Sequence, residues 1–247
     1  MIPSRREFFR RAARLLLALG VTPHAKVLSL FGQTAGPGGM PTRPLGRTGH
    51  HVTLFSLGGE GVLRTYGRRD EAVRVITQAL DRGVNYFDTA PAYAQSQDYY
   101  GEALGPRRKD IFLASKTHER SRAGALALLE NSLSRLRSDH LDLWQLHDLR
   151  TVEDLDAIFG KGGAIEAVEQ AKREKLIRFA GVTGHYDPHI LVEAIRRYPF
   201  DTVLSALNAA DRHYLSFMEI LLPEAVRRNM GIIAMKVLAR GAIMREG

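Results

Sequence analysis

The sequence predicts an α/β fold of the TIM (β/α)8-barrel type, truncated after its seventh strand and preceded by an N-terminal β-hairpin. From residue 54 onward, short apolar runs alternate with helical patterns along the 247-residue chain. These units repeat at about thirty residues, which is the length of one strand-helix unit. No G-x-G-x-x-G motif follows the first predicted strand, and this favours a barrel over a doubly wound nucleotide-binding sheet.

The composition is that of an ordinary globular protein, with 45% hydrophobic and 25% charged residues. The chain has no cysteine, which excludes disulfides, thiolate metal sites and cysteine nucleophiles. Its formal net charge is +8, but residues 1–39 alone carry six basic residues and one acidic residue. The rest of the chain is therefore only mildly basic, and we do not expect a nucleic-acid partner.

Residues 1–39 are predicted to be a signal-like segment and a linker, and residues 40–247 to be the barrel. The sequence SRREFF at residues 4–9 resembles a twin-arginine export signal, which a translocase reads. The apolar run at residues 15–21 is too short to span a bilayer, so no stable membrane insertion is expected. The resemblance implies export to the periplasm. The alternatives are an amphipathic helix that lies on the domain, or a wrongly assigned translation start; the protein would then be cytoplasmic.

The predicted elements begin with the hairpin, RPLGRTGHHVT at residues 43–53, whose turn is at 47–49. Seven strands are predicted at 54–57, 85–88, 111–115, 141–146, 179–183, 202–206 and 232–236. Helices are predicted at 69–82, 97–104, 123–136, 163–175, 188–197 and 215–229. A barrel closes with an eighth strand, so either an early segment supplies it or the sequence is a fragment of a longer protein.

Polar and titratable residues follow the predicted strands at their carboxyl ends, where a barrel of this kind builds its active site. They are Asp88 and Tyr93 after the second strand, Lys116 and His118 after the third, His147 after the fourth, Thr183 and His185 after the fifth, Asn208 after the sixth, and Lys236 after the seventh. One histidine at a strand end is more often structural than catalytic. An acid, a phenol, an amine and an imidazole on neighbouring strands together indicate shared chemistry.

These four side-chain types are suited to protonating a carbonyl oxygen. Tyrosine titrates at about 10, so a neighbouring ammonium such as that of Lys116 should lower the pKa of Tyr93. A carboxylate such as Asp88 would keep that lysine charged and oriented. His147, across the pocket, could hold the carbonyl oxygen in place. We therefore expect Tyr93 to donate its proton more readily than a free tyrosine while a hydride reaches the carbonyl carbon.

The motifs that carry these residues resemble those of the aldo-keto reductase family. FDTAPAY, ASKTH and LDLWQLH match the second, third and fourth strand motifs of that family in order. The sequences LGRTGHHVTLFSLGG, IRFAGVTGH and GIIAMKVLARG resemble its hairpin with the first strand, its fifth strand and its seventh strand. The resemblance extends from residue 43 to the end of the sequence. It implies a barrel that uses NADP(H) to reduce a small carbonyl substrate, an aldehyde or a ketone.

Carried over by position, the resemblance implies a role for each of eight residues. Tyr93 would be the proton donor, Asp88 and Lys116 would tune it, and His147 would orient the substrate carbonyl. The residues that would contact the cofactor are Thr183, Asn208, Met235 and Lys236. No metal ion is implied.

The sequence departs from the family pattern around the cofactor. Thr183 and Gly184 stand where the family commonly has Ser-Asn to hold the nicotinamide amide. Met235 stands where a tyrosine often stacks on the nicotinamide, and methionine packs on a ring differently. Ala94 follows Tyr93 where the family usually has glycine. The family's site for the adenosine 2′-phosphate lies on the eighth strand and the following helix, which the sequence does not contain.

Two other functions stay open at this point. The departures around the cofactor would suit a non-catalytic barrel that serves as a binding or regulatory subunit. A metal-dependent hydrolase could use His118, His147, His185 and Asp88 as ligands. The hydrolase hypothesis leaves the tyrosine and the lysine without a role, and the first strand has no H-x-H pair.

Overall fold

The structure, a computed structural model, describes residues 34–35, 39–239 and 241. The signal-like segment and most of the linker, predicted within residues 1–39, lie outside the described residues. From residue 39 onward the described residues belong to one compact unit. None of the described helices combines the length and the apolar character needed to cross a membrane.

A short antiparallel hairpin precedes the main sheet, as predicted. After β1 (Thr34–Ala35), strand β2 (Pro41–Pro44) pairs with β3 (His51–Thr53). The turn contains a 3₁₀ helix at Gly46–Thr48 and ends on Gly49. Gly46 has a φ of 50°, and a Cβ there would collide with the backbone of Met230 and Gly231. Glycine therefore allows the hairpin to pack directly against the start of the last strand.

Seven parallel strands form the main sheet and follow one another across it in chain order. They are β4 (Leu57–Gly58), β5 (Tyr86–Asp88), β6 (Phe112–Thr117), β7 (Leu141–Leu146), β8 (Ile177–Gly184), β9 (Thr202–Ala206) and β10 (Gly231–Met235). The sheet is curled, and the predicted barrel-type α/β fold is confirmed. Among the described strands, β4 and β10 each pair with one neighbour only.

Helices connect the parallel strands, as crossovers between parallel strands require. They are α1 (Arg69–Asp81), α2 (Ser96–Leu104), α3 (Arg122–Leu136), α4 (Val152–Phe159), α5 (Ala164–Arg173), α6 (Pro188–Arg197), α7 (Phe217–Ile220) and α8 (Leu222–Arg227). Short 3₁₀ helices occur at Gly61–Leu63, Gly105–Asp110 and Asp211–His213.

Two predicted elements differ from the structure, and one helix was not predicted. The first strand is shorter than the predicted 54–57, because Leu54 and Phe55 are exposed and only residues 57 and 58 pair. The helix predicted at 215–229 is divided in two, and Pro223 at the start of α8 lacks the N–H that would continue α7. Helix α4 was not predicted, although Thr151 forms a capping box at its start.

Strand parity separates the core into two layers. Phe87, Leu113 and Trp144 point outward and pack under the helices. Their neighbours Tyr86, Phe112 and Leu143 point inward, where Leu45 of the hairpin closes the bottom of the curl. The same parity, continued to the carboxyl ends of the strands, puts the side chains of residues 88, 116, 147 and 183 on the inner face. The curled sheet thus gathers side chains that are far apart in sequence.

Candidate active site

An ion pair between Lys116 and Asp88 lies at the centre of the inner face, near the carboxyl ends of β5 and β6. Lys116 donates a hydrogen bond from Nζ to Oδ1 of Asp88 and a second one, 2.9 Å long, to the carbonyl oxygen of Thr89. The Lys116 side chain is 1% exposed. Burial lowers the pKa of Lys116, but the charge and the hydrogen bond of Asp88, with a contribution from Tyr93, raise it by more, so the pKa is above its ordinary value. The lysine is therefore a buried cation at neutral pH.

Gln145 fixes the other oxygen of the same carboxylate. Its Nε2 donates a 2.8 Å hydrogen bond to Oδ2 of Asp88, and both residues are buried. Gln145 is the register partner of Lys116 on the neighbouring strand, so the two donors approach Asp88 side by side. Gln145 was not among the predicted site residues. The signal for it was a polar residue at an inward-facing position of the strand LDLWQL.

The loop after β5 carries Tyr93 over this ion pair. Two turns shape the loop, since Tyr93 N donates to the Ala90 carbonyl at 3.0 Å and Ser96 N donates to the Tyr93 carbonyl at 2.9 Å. Ala94 has a φ of 46°, in the left-handed region that favours glycine. Arg135 Nη2 donates a 2.6 Å hydrogen bond to the Ala94 carbonyl and holds the loop in this conformation.

Tyr93 lies close to the buried cation. Lys116 Nζ is 4.9 Å from the centroid of the Tyr93 ring. Burial raises the pKa of Tyr93, and Lys116 opposes that shift without overcoming it, so the phenol titrates above its ordinary range. The expectation that Tyr93 is more acidic than a free tyrosine does not hold in this structure. Lys116 lowers the pKa of Tyr93, as expected, but the loss of water around the phenol raises it by more.

His147 follows β7 and faces Tyr93 across the pocket. The two rings are perpendicular, with centroids 5.9 Å apart. Burial, followed by the positive charge of Lys116, lowers the pKa of His147 from 6.5 to about 3. Neither ring nitrogen makes a hydrogen bond within the described part of the chain. At neutral pH the side chain is thus an uncharged imidazole that offers one N–H donor and one acceptor.

Two adjoining cavities open above these residues and share Glu60, Tyr93 and Lys236. The inner cavity, about 250 Å³, lies between β4, β5 and β10 and is lined by Gly58, Gly59, Asp88, Leu204, Ile233, Met235 and the shared residues, among others. The outer cavity, about 310 Å³, is lined by Arg64, Ala92, His147, Asp148, Arg150, His185, Tyr186 and the shared residues. Tyr93 therefore borders both.

Of the four residues predicted to bind a cofactor, two line a cavity and two do not. Met235 and Lys236 line the inner cavity. Lys236 Nζ also lies 3.1 Å from Nδ1 of His185. Thr183 is fully buried, and its hydroxyl accepts a 2.8 Å hydrogen bond from the backbone N–H of Asp148. Asn208 is half-buried outside both cavities, and its side-chain oxygen accepts from the Ala210 N–H at 3.0 Å.

The ligand set of the hydrolase hypothesis does not assemble. No group of three or more histidine, aspartate or glutamate side chains that could hold a metal ion occurs among residues 39–239 as described. Asp88 is committed to Lys116 and Gln145.

A family model described as the aldo/keto reductase family matches residues 54–246. L-galactose dehydrogenase of Arabidopsis thaliana is 30% identical over 225 residues, which cover 83% of this chain and 67% of that protein. The chain spans between 62% and 67% of the length of three curated relatives that it matches over most of its own length.

Solved structures of similar proteins share the fold. An aldo-keto reductase of Bacillus halodurans in its holo form superposes with a TM-score of 0.72 at 29% identity, covering 84% of this chain and 70% of that one. An aldo/keto reductase of Klebsiella pneumoniae in complex with NADP and acetate has a TM-score of 0.69 at 26% identity, covering 83% of this chain and 71% of that one.

Proposed function

Because the chain belongs to the aldo/keto reductase family, we propose that it is an NADP(H)-dependent oxidoreductase that reduces a small aldehyde or ketone, with Tyr93 as the proton donor. The observation that carries this proposal is the buried Lys116–Asp88 ion pair, whose ammonium lies 4.9 Å from the Tyr93 ring. A buried cation beside a phenol stabilises the phenolate that forms when the phenol loses its proton.

The burial of Tyr93 and the charge of Lys116 have complementary effects on proton transfer. Because burial raises the pKa of Tyr93, the phenol is fully protonated at neutral pH and ready to donate. When the proton moves to a carbonyl oxygen, the ammonium stabilises the phenolate that is left behind. Asp88 keeps the lysine charged, and Gln145 keeps Asp88 in place.

His147 would orient the substrate. As a neutral imidazole it can donate one N–H to the carbonyl oxygen without competing with Tyr93 for the role of acid. Its ring stands perpendicular to that of Tyr93, so one oxygen atom between the two side chains could accept from both. Two hydrogen bonds to the carbonyl oxygen make the carbonyl carbon more electrophilic and therefore more reactive toward a hydride.

The residues around the inner cavity fit a nicotinamide nucleotide. The proton donor Tyr93 lines this cavity together with Met235, whose thioether can pack on a planar ring. The Lys236 ammonium suits a phosphate group. Asn208 lies outside both cavities, so its amide would contact only a part of the nucleotide that extends beyond the inner cavity. Thr183 would act indirectly, because its hydroxyl holds the backbone N–H of Asp148. When bound, reduced NADP supplies a hydride to the carbonyl carbon. The Klebsiella structure in complex with NADP supports this choice of cofactor.

Replacing Tyr93 with phenylalanine tests the proposal. We expect kcat for reduction of a small aldehyde by NADPH to fall by about 100-fold or more, because general acid catalysis contributes on that scale. Binding of NADPH, followed by nicotinamide fluorescence, should change little. Tyr66→Phe is the matched control, since Tyr66 is 76% exposed and lines neither cavity. Full activity in Tyr93→Phe would disprove the assigned role of Tyr93, and absence of NADPH binding by the parent would disprove the assigned cofactor.

We also propose that the SRREFF segment directs export of the protein to the periplasm. A twin-arginine translocase carries folded proteins, which suits an enzyme that acquires its cofactor before transport. Replacing both Arg5 and Arg6 by lysine should retain the protein in the cytoplasm. The control is the double variant in which Arg10 and Arg14 are both replaced by lysine, and it should still be exported. The proposal would be contradicted if the two double variants had the same distribution between the cytoplasmic and periplasmic fractions.

A further inference from the structure

The outer cavity is unusually polar for a small-molecule pocket. Ala92 contributes the only aliphatic side chain among the residues that line it. Ligand pockets are mostly apolar, with a few polar groups that fix orientation. At about 310 Å³ the cavity is also at the small end of their range. The lining therefore favours a compact, polar molecule over an extended apolar one.

Two of the three cations in this cavity are already engaged. Arg150 donates to Oδ2 of Asp148 from Nε at 2.8 Å and from Nη2 at 2.5 Å, and it stacks on the ring of Tyr186. Lys236 contacts His185 at 3.1 Å, and under the proposed function it also binds a phosphate group of the cofactor. The third cation is Arg64, in the loop after β4.

Arg64 is held at the cavity by contacts that leave its donors available. Its guanidinium lies 5.9 Å from the centroid of the Tyr93 ring, within the range of a cation–π interaction. None of the guanidinium N–H groups makes a hydrogen bond to another described residue. The nearest acid, Glu60, is 3.7 Å away, and both side chains are more than a third exposed. An exposed pair at that distance contributes little, so a better acceptor could replace Glu60.

We infer that Arg64 binds an anionic group of the substrate, so the preferred substrate is a small aldehyde or ketone that carries a carboxylate or a phosphate. This inference rests on the proposed reductase function, because it places the carbonyl of the same molecule on Tyr93 and His147. A planar guanidinium matches a carboxylate or a phosphate with two parallel hydrogen bonds. The same cavity borders Arg64, Tyr93 and His147, so one short molecule can reach all three.

The test compares acids with their uncharged methyl esters. The probes are 4-oxobutanoate and 4-carboxybenzaldehyde, each paired with its methyl ester, at fixed NADPH. For the parent, kcat/KM should be higher for each acid than for its ester. In Arg64→Gln the ratio of acid to ester should fall by roughly 10- to 100-fold, the usual scale of a charge-assisted hydrogen bond, mainly through KM of the acid. Arg64→Lys should restore part of the ratio, since it restores the charge but not the two-pronged geometry.

Arg74→Gln is the matched control, because Arg74 is exposed on α1 and lines neither cavity. Its acid-to-ester ratio should equal that of the parent. An equal ratio in Arg64→Gln and the parent, or a preference of the parent for the esters, would overturn the inference while leaving the reductase function intact. If the parent reduces neither the acids nor the esters, although it binds NADPH, the proposed function itself fails.

Discussion

Replacing His147 with glutamine should remove part of the acid sensitivity of the folded protein. Burial, with Lys116 as the next cause, lowers the pKa of His147 from 6.5 to about 3. In the unfolded chain the imidazole regains its ordinary pKa. Between about pH 6.5 and pH 3 the unfolded state therefore binds more protons than the folded state, and the free energy of unfolding falls as the pH drops through this window. Above the window the contribution of His147 to stability is fully present.

The size of the effect follows from the two pKa values. At pH 5 the unfolded imidazole is almost fully protonated, whereas the folded one is almost fully neutral. Relative to pH 7, this difference reduces the free energy of unfolding by about 2 kcal/mol. With an m-value of about 2 kcal/mol per molar urea, the urea midpoint should fall by about 1 M. His147→Gln lacks this component, because an amide keeps a donor and an acceptor but does not ionise.

Urea unfolding at pH 7 and pH 5 measures the effect, with the fluorescence of Trp144, the single tryptophan, as the signal. Burial also lowers the pKa of His185, but that contribution is shared by both proteins and cancels in the comparison to a first approximation. His213→Gln is the control, since His213 is exposed. An identical loss of stability between pH 7 and pH 5 in the parent and in His147→Gln would refute the argument that burial keeps this imidazole neutral.

Two further predictions concern buried polar groups. Tyr86→Phe should leave the free energy of unfolding unchanged or raise it by up to about 1 kcal/mol, because the Tyr86 hydroxyl is buried without a hydrogen-bond partner in the described structure. Tyr100→Phe, the matched comparison, should lower it by about 1–2 kcal/mol, because it deprives the half-buried Leu57 carbonyl of a 2.9 Å hydrogen bond; a larger loss for Tyr86→Phe in urea unfolding would contradict this order. Gln145→Leu should lower kcat by about tenfold, because Asp88 loses one of its donors, and a steady-state assay that finds no change would show that Lys116 alone positions the carboxylate.

Several residues of the candidate site could be predicted from the sequence, because the signals that identify them are local. An apolar run followed by a polar residue identifies a strand end, and parity within the strand identifies the inward side chains. Asp88, Lys116 and His147 could be placed in this way, and the structure brings them together. Gln145 could have been included by the same parity. Arg64 could not, since it lies in a loop whose path depends on its contacts with Tyr93 and Glu60.

The direction of the pKa shift of Tyr93 shows a second limit of sequence reasoning. The neighbouring lysine was predicted from strand adjacency, and its effect on the phenol has the predicted sign. The amount of water excluded from the phenol was not predictable, because it depends on how the 89–96 loop folds over the inner face. Desolvation and a nearby charge act in opposite directions on this group, and only the packed structure sets their relative sizes.

The sequence by itself determined the fold class and the residues that meet at the strand ends, because periodicity and strand parity are properties of consecutive residues. The tertiary structure alone decided the state of those residues: Lys116 charged, His147 neutral and Tyr93 protonated. It also decided which cation of the outer cavity keeps its donors available. The physical reason is that desolvation and hydrogen bonding depend on every atom packed around a group, and most of those atoms come from distant parts of the chain.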